Sequence, residues 1–173
     1  MRHVRVAALR VLMVVVMLGL LARAWPAGTV SEINSLKGVH PLRVFVTKLR
    51  PDVTADGLSH DRLRLIISER LKQQGLPVDQ NATNDLYLIV TTSPQTDGKY
   101  AVHLHLEGRQ LVALFHEFIR DPESRDIAAT WRASWIGIVK PEEFKQVEVA
   151  LVQLVDKFIA DWRIGNRGRP RTR

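Results

Sequence analysis

Two periods of apolar residues run along this chain, one of two residues and one of three to four. Period two appears first at 41–49 (PLRVFVTKL), where Leu42, Val44 and Val46 share one side and Arg43, Phe45 and Thr47 the other. That is the pattern of a strand with one buried face. A turn segment with Pro51, Asp52 and Gly57 follows at 50–58. The helical period takes over at Ser59, an N-cap residue with Asp61 in the first turn, where negative charge suits the helix dipole. Leu63, Ile66, Ile67 and Leu71 form one stripe, and Gly75-Leu76-Pro77 closes it with a left-handed residue, an apolar residue and a proline. The spacing predicts a helix over 59–74.

Three further strands follow. The run 86–93 (LYLIVTTS) is apolar enough for a central strand and is bounded by Asn84-Asp85 and Pro94. Residues 100–107 alternate, with Tyr100, Val102, Leu104 and Leu106 against Ala101, His103, His105 and Glu107. Gly108 is placed for a bulge that bends this strand. The segment 111–119 fits a helix through Leu111, Leu114, Phe115 and Phe118, but its β-branched and aromatic content favours strand. Residues 127–139 alternate again, with Ile127, Ala129, Trp131, Ala133 and Trp135 against Ala128, Thr130, Arg132 and Ser134. Pro141, Glu142 and Glu143 open the last helix. Phe144, Val147, Leu151, Leu154, Val155, Phe158 and Trp162 give it a stripe wide enough to cover a sheet.

The order β-α-β-β-β-α predicts an α+β two-layer sandwich, a mostly antiparallel sheet with two helices on one face. The other face, carrying His103, His105, Glu107, Thr130, Arg132 and Ser134, is then open to solvent, and it is the face to which any ligand would bind. Trp131 and Trp135, with Phe158 and Trp162, read as core.

The N-terminal pattern differs from all of this. Val11–Leu21 is an unbroken apolar run behind Arg2, Arg5 and Arg10, and Ala22-Arg23-Ala24 follows as a small-x-small pattern. Eleven residues rise about 16 Å as a helix, short of a hydrocarbon core of about 30 Å. The run reads as an export signal cleaved after Ala24, leaving a mature chain with no membrane span. An uncleaved amphipathic anchor is the alternative. Residues 25–39 read as a linker or arm, 40–162 as a single domain, and 163–173 as a disordered Arg-rich tail.

Composition sharpens this picture chiefly through charge. The 173 residues carry a formal charge of +7, with 25 basic and 18 acidic side chains. Four of the arginines precede residue 25 and five follow residue 162, whereas every acidic residue lies between those points. The domain itself is thus slightly acidic, and a domain-wide nucleic-acid surface is not expected. No Cys is present, which excludes disulfides, thiol nucleophiles and cysteine zinc sites.

The sharpest chemical pattern is His103-x-His105-x-Glu107. Period two sets these side chains on one strand face about 6.6 Å apart at the backbone. Two imidazoles and a carboxylate are donors for zinc or for a non-haem iron triad. Three successive positions diverge along a pleated strand, so a ligand from elsewhere, such as His116, would have to join. The alternative is a solvated polar face, with zinc not required and no other cofactor implied. Arg132 is positioned to pair with Glu107 across strands or to hold an anion. G-x-S-x-G, G-x-G-x-x-G, P-loop, H-E-x-x-H and EF-hand patterns are all missing, so catalytic residues are not assigned. In the tail, Arg167-Gly168-Arg169-Pro170 resembles the core of an AT-hook, which implies contact with the DNA minor groove. Export argues against that partner. The tail arginines Arg167, Arg169, Arg171 and Arg173 are better matched to anionic lipid or polysaccharide.

Asp56-Gly57-Leu58-Ser59 at a helix entry, Ala129-Thr130-Trp131 in a strand and the closing helix segment Leu154-Val155-Asp156-Lys157-Phe158-Ile159 resemble a family of small exported bacterial α+β proteins. The element order is also similar to the N-terminal domain of TolB-like periplasmic proteins. That resemblance implies an envelope domain that binds other components, and it carries over no catalytic residue. The expectation is a non-enzymatic periplasmic or secreted binding domain whose partner is an envelope protein or polymer. Metal-dependent activity at His103, His105 and Glu107, or adhesion through the basic tail, are the alternatives.

Overall fold

A computed structural model describes residues 28–113 and 125–167. The segment read as an export signal, residues 114–119 of the ambiguous stretch, His116, and the tail arginines Arg169, Arg171 and Arg173 lie outside the described residues.

The α+β sandwich is as the periodicity predicts. The described chain runs α1 (Val30–Ser35), β1 (Leu42–Val46), α2 (Pro51–Ala55), α3 (His60–Gln73), β2 (Asn84–Pro94), β3 (Tyr100–Val112), β4 (Asp126–Val139), a 3-10 turn (Pro141–Glu143) and α4 (Phe144–Gly165). The strands form one sheet in the order β1-β2-β3-β4. β1 and β2 are parallel, joined by a crossover containing α3, and the other two pairs are antiparallel. Helix α3 begins where Ser59 caps Arg62 N and ends at Gly75, whose φ of 80° only glycine adopts readily.

Two elements were not expected. Within the segment read as a linker, Thr29 and Glu32 form a reciprocal capping box that starts α1. The residues after it, Leu36 and Val39, are buried in the core. Asn166 clamps this arm by accepting from Gly38 N and donating to Leu36 O. The turn segment after β1 likewise contains a short helix, α2, with Pro51 at its first turn.

The inner sheet face carries Val44, Leu86, Leu88, Val102, Leu104, Leu106 and Trp131, all buried against α3 and α4. Trp131 meets Phe158 edge-on at 5.1 Å between ring centres. Trp135 and Trp162 pack on the margin of this core. Leu111 and Val112 belong to β3, which accounts for the described start of the stretch 111–119 as strand.

The alternation of β4 is broken once. The register slips between Gly108 and Arg109, so Gly108 faces Trp131 while Arg109 faces Ala129, leaving Thr130 without a cross-strand partner. Ile127 and Ala129, expected on the Trp131 side, are therefore exposed. Thr130, expected on the open face, instead accepts from Gln110 and donates to Gly108 O beside Ser35.

Under α1 lies a buried charge cluster. Asp161 accepts from Trp131 Nε1 at 2.9 Å, Lys157 Nζ at 2.8 Å and Gly28 N at 3.2 Å, all on Oδ2.

Candidate functional site

The outer face of the sheet is built from the alternate positions of all four strands. Register aligns Phe45, Tyr87, Glu107 and Arg132 in one row across it. Ile89, His105 and Ser134 form the next row, and Thr91, His103 and Ile136 the one beyond.

The first row is organised around aromatic rings. Phe45 stacks on Tyr87 with ring centres 4.9 Å apart and planes within 7°. The Arg109 guanidinium lies 3.6 Å from the centre of the Tyr87 ring. Phe45, Tyr87 and Arg109 thus form a three-layer stack in which a cation meets a π face. Arg109 is held there by Glu107, whose Oε2 accepts from Nε at 2.7 Å and from Nη2 at 2.6 Å. The other oxygen of Glu107 lies 3.1 Å from His105 Nε2. At the row's margin Arg43 makes a two-pronged pair with Asp85 at 2.7 and 3.0 Å, and that hydrogen bonding raises the guanidinium pKa further.

This geometry bears on two expectations. His103, His105 and Glu107 do share one face, and the two imidazoles lie 5.7 Å apart. However, both oxygens of Glu107 are engaged by His105 and Arg109. Among the described residues no three His, Asp or Glu side chains are grouped to hold a metal ion. Arg132 stands opposite Glu107 as predicted, but it is exposed and forms no ion pair among the described residues. Arg109 has taken its place because it sits two positions along the same strand, already over Tyr87. Of the segment read as a disordered tail, Arg163 lies in the last turn of α4 and donates to Gln74 Oε1, and Arg167 is exposed just beyond the helix end.

Three members of the stack escaped the sequence reading. Phe45 is only the polar-side neighbour in an alternating strand, Tyr87 sits in an apolar run without alternation, and Arg109 lies beyond the predicted end of its strand. The available signal was register: Tyr87 and Arg109 have the parity of the face opposite Leu86 and Leu88.

A second concavity opens at the carboxyl end of β1. It is a cleft of about 690 Å³ lined by Phe45, Val46, Lys48, Leu49, Pro51, Thr54 and His60. His60 lies across its side, with Nε2 3.1 Å from Val46 O and Nδ1 3.0 Å from Asp61 Oδ1. Phe45 belongs to both features.

No family model matches the chain, and no curated protein matches it. Among solved structures it is similar to a PelC dodecamer variant from Paraburkholderia phytofirmans, at 15% identity and a TM-score of 0.37, covering 73% of this chain and 86% of that one. No helix among the described residues is long and apolar enough to cross a membrane.

Proposed function

We propose that this chain is a non-enzymatic binding domain of the bacterial envelope, exported by its N-terminal segment, which docks a protein partner on the open face of its sheet. The observation that carries this reading is the Phe45–Tyr87–Arg109 stack. Aromatic rings and arginine are the side chains most enriched at the energetic centres of protein interfaces. Here they are pre-ordered by Glu107, so a partner meets a rigid platform and less side-chain entropy is lost on docking. Glu107 and His105 border the stack with polar groups that satisfy one another, which suits a binding surface.

Pull-down from the exported fraction tests this. Wild-type protein recovers a specific partner, and Tyr87→Ala or Arg109→Ala weakens that complex by roughly thirtyfold or more, the size of a hot-spot loss. A hydrolytic activity without any partner, or a partner retained equally by both variants, overturns the reading. Mass analysis of the exported protein reports the N-terminus, with loss of residues 1–24 expected and an intact Met1 opposing export by a cleaved signal.

A further inference from the structure

From the free edge of the sheet we infer that β4 pairs antiparallel with β4 of a second copy of this chain, centred on Trp135. β4 ends the strand order on its side, so alternate residues present N–H and C=O groups with no strand to receive them. Among the described residues, no loop or helix donates to or accepts from the backbone of residues 131–139 on that edge. Below this run the edge is closed, because Thr130 is the bulged residue and its carbonyl accepts from Ser35 Oγ. Above it, Pro141 ends the strand.

Apart from the single charge of Arg132, the devices that normally blunt an exposed edge are missing from 131–139. The run holds no proline, no lysine and no inward-pointing charge. Its outward side chains instead include Ile136 at 73% exposure and Ile138 at 66%, the two most exposed isoleucines among the described residues. At about 3.3 Å per residue the run offers roughly 30 Å of pairing edge.

The register follows from matching this run to itself. Centring on Trp135 sets Trp131 against Val139 of the partner subunit, Ala133 against Gly137 of the partner subunit, and Ser134 against Ile136 of the partner subunit. Every inward side chain then meets an inward one, as strand pairing requires. Arg132, the only charge in the run, meets the aliphatic Ile138 of the partner subunit. Moving the centre to Ser134 carries the pairing into the Thr130 bulge. Moving it to Ile136 opposes Arg132 to Lys140 of the partner subunit, a like-charge contact across strands. One register uses the whole free edge without a clash of charge, and a second copy supplies it. Gly137 lets the Trp135 indole lie flat over it on the helix side, since a Cβ there would overlap the ring. This edge lies apart from the ring and guanidinium stack, so either surface can fail without the other.

Sedimentation of the full chain across the micromolar range reads the prediction. The expected mass is twice that of one chain, falling to a single mass for the Ile136→Lys/Ile138→Lys variant with its circular dichroism unchanged. Because the natural chain contains no cysteine, a second readout is unambiguous. An oxidised mixture of Ser134→Cys and Ile136→Cys chains gives a mixed disulfide dimer in several-fold higher yield than Ser134→Cys alone. A single mass at every concentration, a dimer that survives the lysine variant, or equal cross-linking of the two samples overturns the inference.

Discussion

Asp161 shows at the scale of one residue how a position can look ordinary in sequence and be decisive in the fold. Four residues separate it from Lys157, which reads as one more exposed helical pair worth a few tenths of a kcal/mol. In the structure the Asp161 side chain is 3% exposed and Lys157 12%, because Trp131 and the Gly28 amide close over them. Those partners are 30 and 133 positions away along the chain, so no local pattern announces them. Removing one member of such a pair strands the other in a low dielectric. Asp161→Ala is therefore expected to lower unfolding free energy by about 3–5 kcal/mol, measured by urea titration. A change within about 0.5 kcal/mol, the usual surface value, would show that the pair is solvated after all. Glu107 makes the complementary point. Its shared face with His105 was legible from period two, whereas its choice of Arg109 over Arg132 depended on where the Tyr87 ring stands.

At the scale of elements, what could be read was what is encoded locally. Helix α3 carries its own start at Ser59, its own stripe and its own stop at Gly75, and α4 carries a stripe of seven apolar positions. α1 carries none of these at useful length. Its six residues hold no buried side chain, and the apolar residues it delivers, Leu36 and Val39, follow its end. The only trace was Thr29-x-x-Glu32, a capping signature without an apolar run behind it. The β4 alternation failed for a related reason, since one bulged residue inverts the face of everything before it. The consequence for the arm is measurable. Leu36 is fully buried, so Leu36→Ala is expected to cost about 2–5 kcal/mol through lost burial and a residual cavity. A tether lying loosely on the surface would lose almost nothing. Gly165 adds a steric reading of the same docking. A Cβ at Gly165 would overlap the Ile33 carbonyl, so Gly165→Ala should raise protease sensitivity near α1 while leaving α3 protected.

At the scale of the whole molecule, the basic sequence hides a domain whose response to pH runs through carboxylates and one tyrosine. The Tyr100 hydroxyl donates to Asp56 Oδ2 at 2.6 Å, and this hydrogen bond with burial pushes its pKa up to about 12. A group whose folded pKa is raised contributes stability that is complete below its unfolded value near 10 and is lost as pH rises towards 12. Glu148 acts with the opposite sign. Burial works against its charge, but hydrogen bonds from Lys145 and Arg62 outweigh that and hold it below its ordinary 4.5. Its contribution is present above 4.5 and is lost as pH falls below that value, and Asp52 and Asp97, lowered chiefly by hydrogen bonds from Arg50 and Lys99, lose theirs on the same acid side. Unfolding free energy against pH should therefore show a plateau with two independent flanks. Tyr100→Phe keeps the ring in the core but has no proton to lose, so it flattens the Tyr100 share of the alkaline fall and leaves the acid limb unchanged. Glu148→Gln does the reverse. If Tyr100→Phe retained the full fall between pH 10 and about 12, the alkaline limb would belong to lysine deprotonation, and the Asp56 contact would be a packing feature without linkage to the proton.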